Sequence, residues 1–478
     1  MRTVILGATG FVGRALVMML QGRGHEVVVL ARDPRRAARM LPTGVEVADF
    51  LDDLPLAAAV ANAGAVVNLA GEPIAGSRWT ARRKQQLVAS RVDATRRLVA
   101  AVEARTDRLP VFVSASATGW YGDRGDEELD ERSAPGDGFA ADLCRAWERA
   151  ALAAPAARVV VTRFGVILGR EAGALATLRP VYRLGLGGPI GNGSAWLPWI
   201  HLDDAVAAIV HAIEHGTLAG PIAVVAPGPV RQRDFARAYG RSLHRPAVVR
   251  TPRAALRIAL GEAAEIATVS QRVVPRALVA SGFAFRFPAL DGALADLADD
   301  GVAIARRPRI PDDSLYLRER GARYALCATT ELAAPRREVF AFFSSPGNLP
   351  ALTPPGLAFE MIDDRAIGMR RAAVIDYRIR VAGIALRWRT MIEQWRPDEG
   401  FVDSQLEGPY RSWWHEHRFH DHGSGTVMED LVYFSPPLGG LGRLLVEDRL
   451  RRIFAYRRAA IRARFPRVPA APPRSAAG

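Results

Sequence analysis

"VILGATGFVG", residues 4–13, decides the fold. A short apolar run passes into Gly7, Gly10 and Gly13. Such a run reads as a buried strand that turns sharply into a helix. Glycine at the turn lets the backbone approach a pyrophosphate, which then rests on the free N–H groups of the helix N-terminus. Thr9, Phe11 and Val12 complete the loop and belong to the same expected cofactor contact. A bare glycine triplet is weak evidence; its place after the first strand of an alternating pattern gives it weight.

That pattern extends outward from the loop. "EVVVLA" (26–31), "AVVNLA" (65–70), "VFVSAS" (111–116) and "RVVVTRFGVIL" (158–168) read as buried parallel strands separated by Ala- and Arg-rich helices. The expectation is an α/β fold, a Rossmann-type doubly wound parallel sheet. It spans 1–300, with a mainly helical part at 246–300. The Pro- and charge-rich stretch "ARRPRIPDDS" (305–314) marks a linker over 301–322. From 323 to 466 a strand, an amphipathic helix, alternating segments and a long final helix predict an α+β module. Residues 467–478, "RVPAAPPRSAAG", read as a disordered tail.

The 478 residues carry a net charge of +14, with 49% apolar and 24% charged residues. That is the composition of a soluble globular chain of two or three domains. Lys84 is the only lysine, and the arginines are scattered and form no tract, so no nucleic-acid partner is expected. No leader pattern or membrane-length apolar run is read, and two cysteines, Cys144 and Cys327, suit a cytoplasmic setting.

The end of the second strand selects the cofactor. An NAD site usually places an acidic residue there for the ribose hydroxyls. This chain has Ala31 and then Arg32, whose guanidinium suits a 2′-phosphate, so NADP(H) is expected over NAD(H). Asp33 keeps NAD(H) open. Asn68, Leu69 and Ala70 end the fourth strand, where small residues let a cofactor cross the sheet edge. Lys84 could contact cofactor or substrate, and Arg91, two turns later, could meet the pyrophosphate or a ribose.

His201 in "PWIHLDD" titrates near neutrality and is a catalytic candidate, although a lone histidine after an apolar run is more often structural. Asp204 reads as a helix cap. "HEHRFHDH" (415–422) suggests a metal, but His415 and His417 share one strand face and His420 and His422 the other. Four such ligands cannot converge, so a solvated strand end and no metal are expected. Phe340, Phe342, Phe343, Trp388, Trp395, Trp413 and Trp414 suit either a ligand cavity or a filled core.

"GATGFVG", "NLAGEPI", "SASATGWYG", "TRFGVILG", "GLGGPIGNGSAWLPWIHLDD", "GEAAE" and "GFAFRFP" resemble the extended short-chain dehydrogenases, and most closely their atypical NADP-binding epimerase family. The resemblance covers about residues 1–296. The second module is similar to the helix-grip (SRPBCC, START/Bet v 1-like) family, known for apolar ligand cavities. The resemblance puts Ser116 at or near the superfamily's catalytic serine and Arg91 where an Asn often stands. In "GFAADLCRAWERAA" (138–151) it puts Ala140 and Cys144 at the Tyr and Lys of the Tyr-x-x-x-Lys pair, which is therefore missing. Losing both groups removes the proton path without removing the cofactor's hydride. Ser116, Tyr121 and His201 are the expected substitutes. Two functions stay open: an NADP(H)-dependent oxidoreductase or epimerase on a small, apolar substrate, or a non-catalytic NADP(H) sensor.

Overall fold

The computed structural model describes residues 1–465 apart from 43, 171, 300, 363–367, 382–383 and 438. The chain divides into two compact units: Met1–Ala37 with Val45–Ala298, and Ala38–Gly44 with Asp299 onward.

The first unit is built on seven parallel strands, β1 (Arg2–Leu6), β2 (Glu26–Ala31), β3 (Glu46–Asp49), β4 (Ala65–Asn68), β5 (Leu109–Ala117), β6 (Ala156–Phe164) and β7 (Gly220–Val224). Their order is β7-β6-β5-β4-β1-β2-β3. The chain leaves β1 to one side through β2 and β3 and to the other through β4 onward. Ligands bind outside the strand ends at that switch. Valines and leucines dominate because both faces are covered. Val4, Leu6, Val28 and Val66 pack with Leu56 and Leu98 of the helices Asp53–Ala61 and Ala94–Glu103. Each such side chain contributes about 1.5–3 kcal/mol on leaving water.

Four helices position the site: α1 (Phe11–Gly22), α2 (Ala81–Val88), α3 (Phe139–Leu152) and α4 (Leu202–Glu214). Beyond β7, the expected helical part at 246–300 holds short helices, among them Arg253–Leu260 and Leu290–Ala298.

The second unit is an eight-stranded antiparallel sheet closed by one long helix, α5 (Gly439–Arg464). Its strands are β8 (Val302–Arg306), β9 (Tyr324–Leu332), β10 (Glu360–Met361), β11 (Val374–Val381), β12 (Ile384–Arg396), β13 (Gly400–Glu407), β14 (Ser412–His422) and β15 (Gly425–Ser435), ordered β8-β9-β15-β14-β13-β12-β11-β10. The expected linker is in fact structured. It supplies β8, paired antiparallel with β9, and a helix at Leu315–Arg320. Its few apolar residues are scattered among prolines and arginines, yet they pack: Val302 near Phe434, and Ile310 and Leu317 near Trp414. The expected tail, 467–478, lies outside the described residues.

The aromatic residues pack ring against ring. Phe340 meets Trp395, Phe401 and Phe419, and Trp388 meets Trp413. The solvated strand end expected at 415–422 needs correcting. His420 and His422 are exposed, but His415 and His417 are buried. β14 lies between β13 and β15, and Phe454 and Arg457 of α5 reach its inner face. Only the distal end of the strand meets water.

Candidate active site

The loop after β1 has the shape a dinucleotide needs, and its three glycines do different jobs. Gly7 has φ +88°, and a side chain there would start 2.6 Å from the Leu69 backbone. Only glycine takes that conformation cheaply so close to another strand. A side chain on Gly13 would start 2.4 Å from the Gly7 carbonyl, so Gly13 lets α1 press against the loop. Gly10 is exposed and would meet only the Gly7 oxygen, at 3.2 Å. It caps α1 without a side-chain bond, leaving the helix N-terminus open to an anion. Thr9 and Val12 are partly accessible, while the Phe11 ring packs on Gly169 and Gly173.

The groove continues along the strand ends. Ala31 ends β2, and Arg32 beyond it is 74% exposed and pairs with the Glu72 carboxylate at 3.4 Å. Its fork is available to a phosphate. Asn68 is fully buried; its amide donates to Thr95 Oγ1 at 2.7 Å, and its oxygen accepts the Ala70 N–H at 3.1 Å. It therefore shapes the Leu69–Ala70 turn that lies against Gly7. Arg91 sits on a π-type turn (Ala89–Asp93), a feature frequent at functional sites. Its guanidinium donates to the Glu72 carbonyl at 2.9 Å and lies beside Gly71, forming the wall of the groove. Burial lowers its pKa.

α3 presents Ala140 and Cys144, both 3.4 Å from where a side chain on Gly119 would begin. The Cys144 thiol is buried against the Ala117 carbonyl, and burial pushes its pKa up to about 11. It is a packing residue, neither cation nor nucleophile.

The three expected substitutes are each engaged elsewhere. Ser116 donates to Glu148 Oε1 at 2.6 Å. Both oxygens of Glu148 meet the Arg163 fork at 2.9 Å, with both side chains buried. Arg163 also donates to the Tyr121 hydroxyl at 3.4 Å and stacks 3.9 Å over Trp120. Tyr121 is fully buried, and burial raises its phenol to about 12, opposite to what a proton donor near neutrality needs. His201 caps α4 itself: its Nδ1 accepts the Asp203 N–H at 3.0 Å, and its ring stacks on Phe287. Asp204, expected to be the cap, instead accepts the Arg286 and Phe287 N–H groups at 2.8 and 2.9 Å. Sequence could not show these roles, because the partners lie up to 83 residues away.

What the residue-by-residue reading missed lies outside the carboxyl end of β5. There a cleft of 610 Å³ is lined by Asp123, Gly138, Arg257, Glu262 and Glu265, among others. The Glu265 carboxylate lies beside Gly138 at the foot of α3; a side chain there would start 3.2 Å from Oε1. Burial first, and then the neighbouring Glu262, raise its pKa above the ordinary glutamate range, while Lys84 pulls it back. A carboxyl shifted upward in a cleft holds its proton to higher pH than an ordinary glutamate and is a candidate for proton exchange. Lys84 pairs with Glu262 at 2.7 Å and lies over the Phe139 ring. The single lysine of the chain thus ties α2 to the helical part beyond β7, on the cleft side. "GEAAE" (261–265) was the available signal, but its place beside α3 is set by tertiary folding.

Comparison with known proteins bears on the first unit. Residues 3–226 match the NAD dependent epimerase/dehydratase family, and residues 251–297 match a domain of unknown function, DUF1731. An epimerase family protein of Mycobacterium leprae is 39% identical over 293 residues, covering 61% of this chain and 93% of that protein. The chloroplastic SDR39U1 homologue of Arabidopsis thaliana is 36% identical, over 62% of this chain and 86% of its own length. The crystal structure of human epimerase family protein SDR39U1, determined with NADPH, is 34% identical with a TM-score of 0.57, over 62% of this chain and 99% of that one. Through residues 1 to about 300, then, the chain belongs to the epimerase family.

Proposed function

We propose that the first unit is an NADP(H)-dependent oxidoreductase or epimerase whose proton-exchanging group is Glu265. The observation that carries this reading is a carboxyl of raised pKa lining a cleft beside the helix that lacks the dyad. The open N-terminus of α1 and the exposed Gly10 would receive the pyrophosphate, and Arg32 the 2′-phosphate. The NADPH in the human relative's structure supports that choice. When bound, the nicotinamide supplies or accepts hydride. Glu265 then gives a proton to the substrate oxygen, or takes one from it in the reverse direction. Lys84, held on Glu262, keeps a positive charge near that carboxyl. The substrate is a small molecule in the cleft. The protein acts in the cytoplasm, without a nucleic-acid partner; no helix among the described residues is long and apolar enough to cross a membrane.

In the second unit, the antiparallel sheet and its 26-residue helix support a helix-grip module, to which we assign an apolar ligand. The sensor reading keeps one observation in its favour, the engagement of Ser116 and Tyr121 in a buried ion-pair network.

A panel of aldehydes, ketones and nucleotide sugars, followed by NADPH absorbance, separates these readings. Turnover lost in Glu265→Gln and kept in Tyr121→Phe is expected. Tight NADPH binding with no turnover across the panel leaves the sensor.

A further inference from the structure

Three neighbouring strands of the second unit bring four ionisable side chains onto one face. Asp403 of β13 lies directly across from His415 of β14, and His417 lies across from Asp430 of β15. Alternation along a strand puts His415 and His417 on the same side, with ring centres 3.9 Å apart. Both histidines and Asp430 are buried, among Phe343, Phe401 and Phe454.

Each ring stands between two carboxylates. His415 Nε2 and His417 Nδ1 lie 2.9 and 2.8 Å from the same oxygen, Asp430 Oδ1. His415 donates its Nε2–H to Asp430 at that distance. Arg457 stands 3.4 Å from the same oxygen, balances the carboxylate, and donates to His417 Nδ1 at 3.2 Å. The opposite nitrogens, His415 Nδ1 and His417 Nε2, face Asp403 Oδ2 at 3.6 and 3.4 Å. With its proton on the Asp430 side, neutral His415 presents its Nδ1 lone pair to Asp403, against an anionic oxygen.

A dication resolves this arrangement. Ligand atoms on a tetrahedral zinc, with bonds of about 2.0–2.2 Å, stand about 3.3–3.5 Å apart. The two separations from Asp403 Oδ2 are close to that edge length. Among the described residues, Asp403, His415 and His417 are the only set of three or more His, Cys, Asp or Glu whose ligand atoms converge, all within 4.8 Å. We propose that these three residues bind a divalent transition-metal ion of the zinc class through Oδ2, Nδ1 and Nε2. Imidazole and carboxylate donors without a thiolate suit such an ion. Asp430, behind both rings, is the outer carboxylate that fixes the tautomer and orientation of metal-bound histidines. Thr390 donates to Asp403 Oδ1 at 3.0 Å, so Oδ2 is the oxygen left for the ion. Three protein ligands leave one tetrahedral position for water or a ligand oxygen. This site lies within the second unit and does not depend on the nucleotide reading.

The test uses the full chain, stripped with a chelator and dialysed against zinc sulfate alone. One zinc per chain is expected in the wild type and in His420→Ala, none in His415→Ala/His417→Ala, and at least tenfold weaker binding in Asp403→Asn. Zinc retained by the double variant, or none retained by the wild type, overturns the proposal. Where the double variant fails to fold, ¹⁵N spectra of the wild-type histidines decide. Zinc-dependent shifts at His415 Nδ1 and His417 Nε2 support the site. Protons on both of those nitrogens in the presence of zinc contradict it.

Discussion

The molecule holds two buried polar clusters, one in each unit, and they solve the same problem differently. In the first, Arg163 and Glu148 meet through two bonds of 2.9 Å, with Ser116 and Tyr121 attached to them. A guanidinium never loses its charge and its fork matches a carboxylate, so the pair is complete by itself. In the second, Asp403 and Asp430 face two imidazoles, which, unlike a guanidinium, also carry a lone pair that a metal can take. A self-sufficient buried ion pair is architecture, while one that needs another cation is a place for something to bind. The contrast explains why the residues at the expected catalytic positions of the first unit are structural.

Breaking the first cluster has the largest expected effect. Arg163→Met alone leaves Glu148 buried without its partner and should cost about 3–5 kcal/mol in urea unfolding. Adding Glu148→Leu should recover much of that loss. Full additivity of the two substitutions would show that the pair is not the closed unit described.

The same division between architecture and binding runs through the glycine loop. Gly13→Ala places a methyl group 2.4 Å from the Gly7 carbonyl and should cost about 1–3 kcal/mol. Gly10→Ala meets a single atom, the Gly7 oxygen at 3.2 Å, so its stability should fall less than for Gly13→Ala while NADPH affinity drops. Thermal melts with and without NADPH separate the two. Arg32→Ala is the mildest: stability unchanged and NADPH weakened about tenfold, with NADH unaffected. Equal loss for both nucleotides would remove the 2′-phosphate assignment.

Much of this was legible in the sequence wherever the determinant is local. The apolar runs marked five strands of the first sheet, and the glycine spacing marked the turn after β1. β3, with only four partly buried or exposed residues, gave no such signal. That the only lysine lies outside "GFAADLCRAWERAA" is read directly from the chain, and the structure puts it on α2. Roles set by distant partners were not legible. Ser116 reads as a catalytic serine until Glu148 stands 2.6 Å away, and His201 reads as a base until it caps α4. Glu265 carries no local signal of its role, and the cleft it lines forms only on folding. The histidines of "HEHRFHDH" were correctly divided between two faces. Which face is buried depends on where β14 sits in the sheet, and strand order is not written locally.

The most direct measurement is the pH dependence of kcat/KM for reduction of a substrate found in the NADPH panel, in wild type and Glu265→Gln. Only the protonated carboxyl can donate, so the wild-type rate should fall as pH rises through a pKa above the ordinary glutamate range. Glu265→Gln should lose about 10²–10⁴-fold in rate, and that descending limb with it. The same limb persisting in Glu265→Gln would contradict a proton donor at this position.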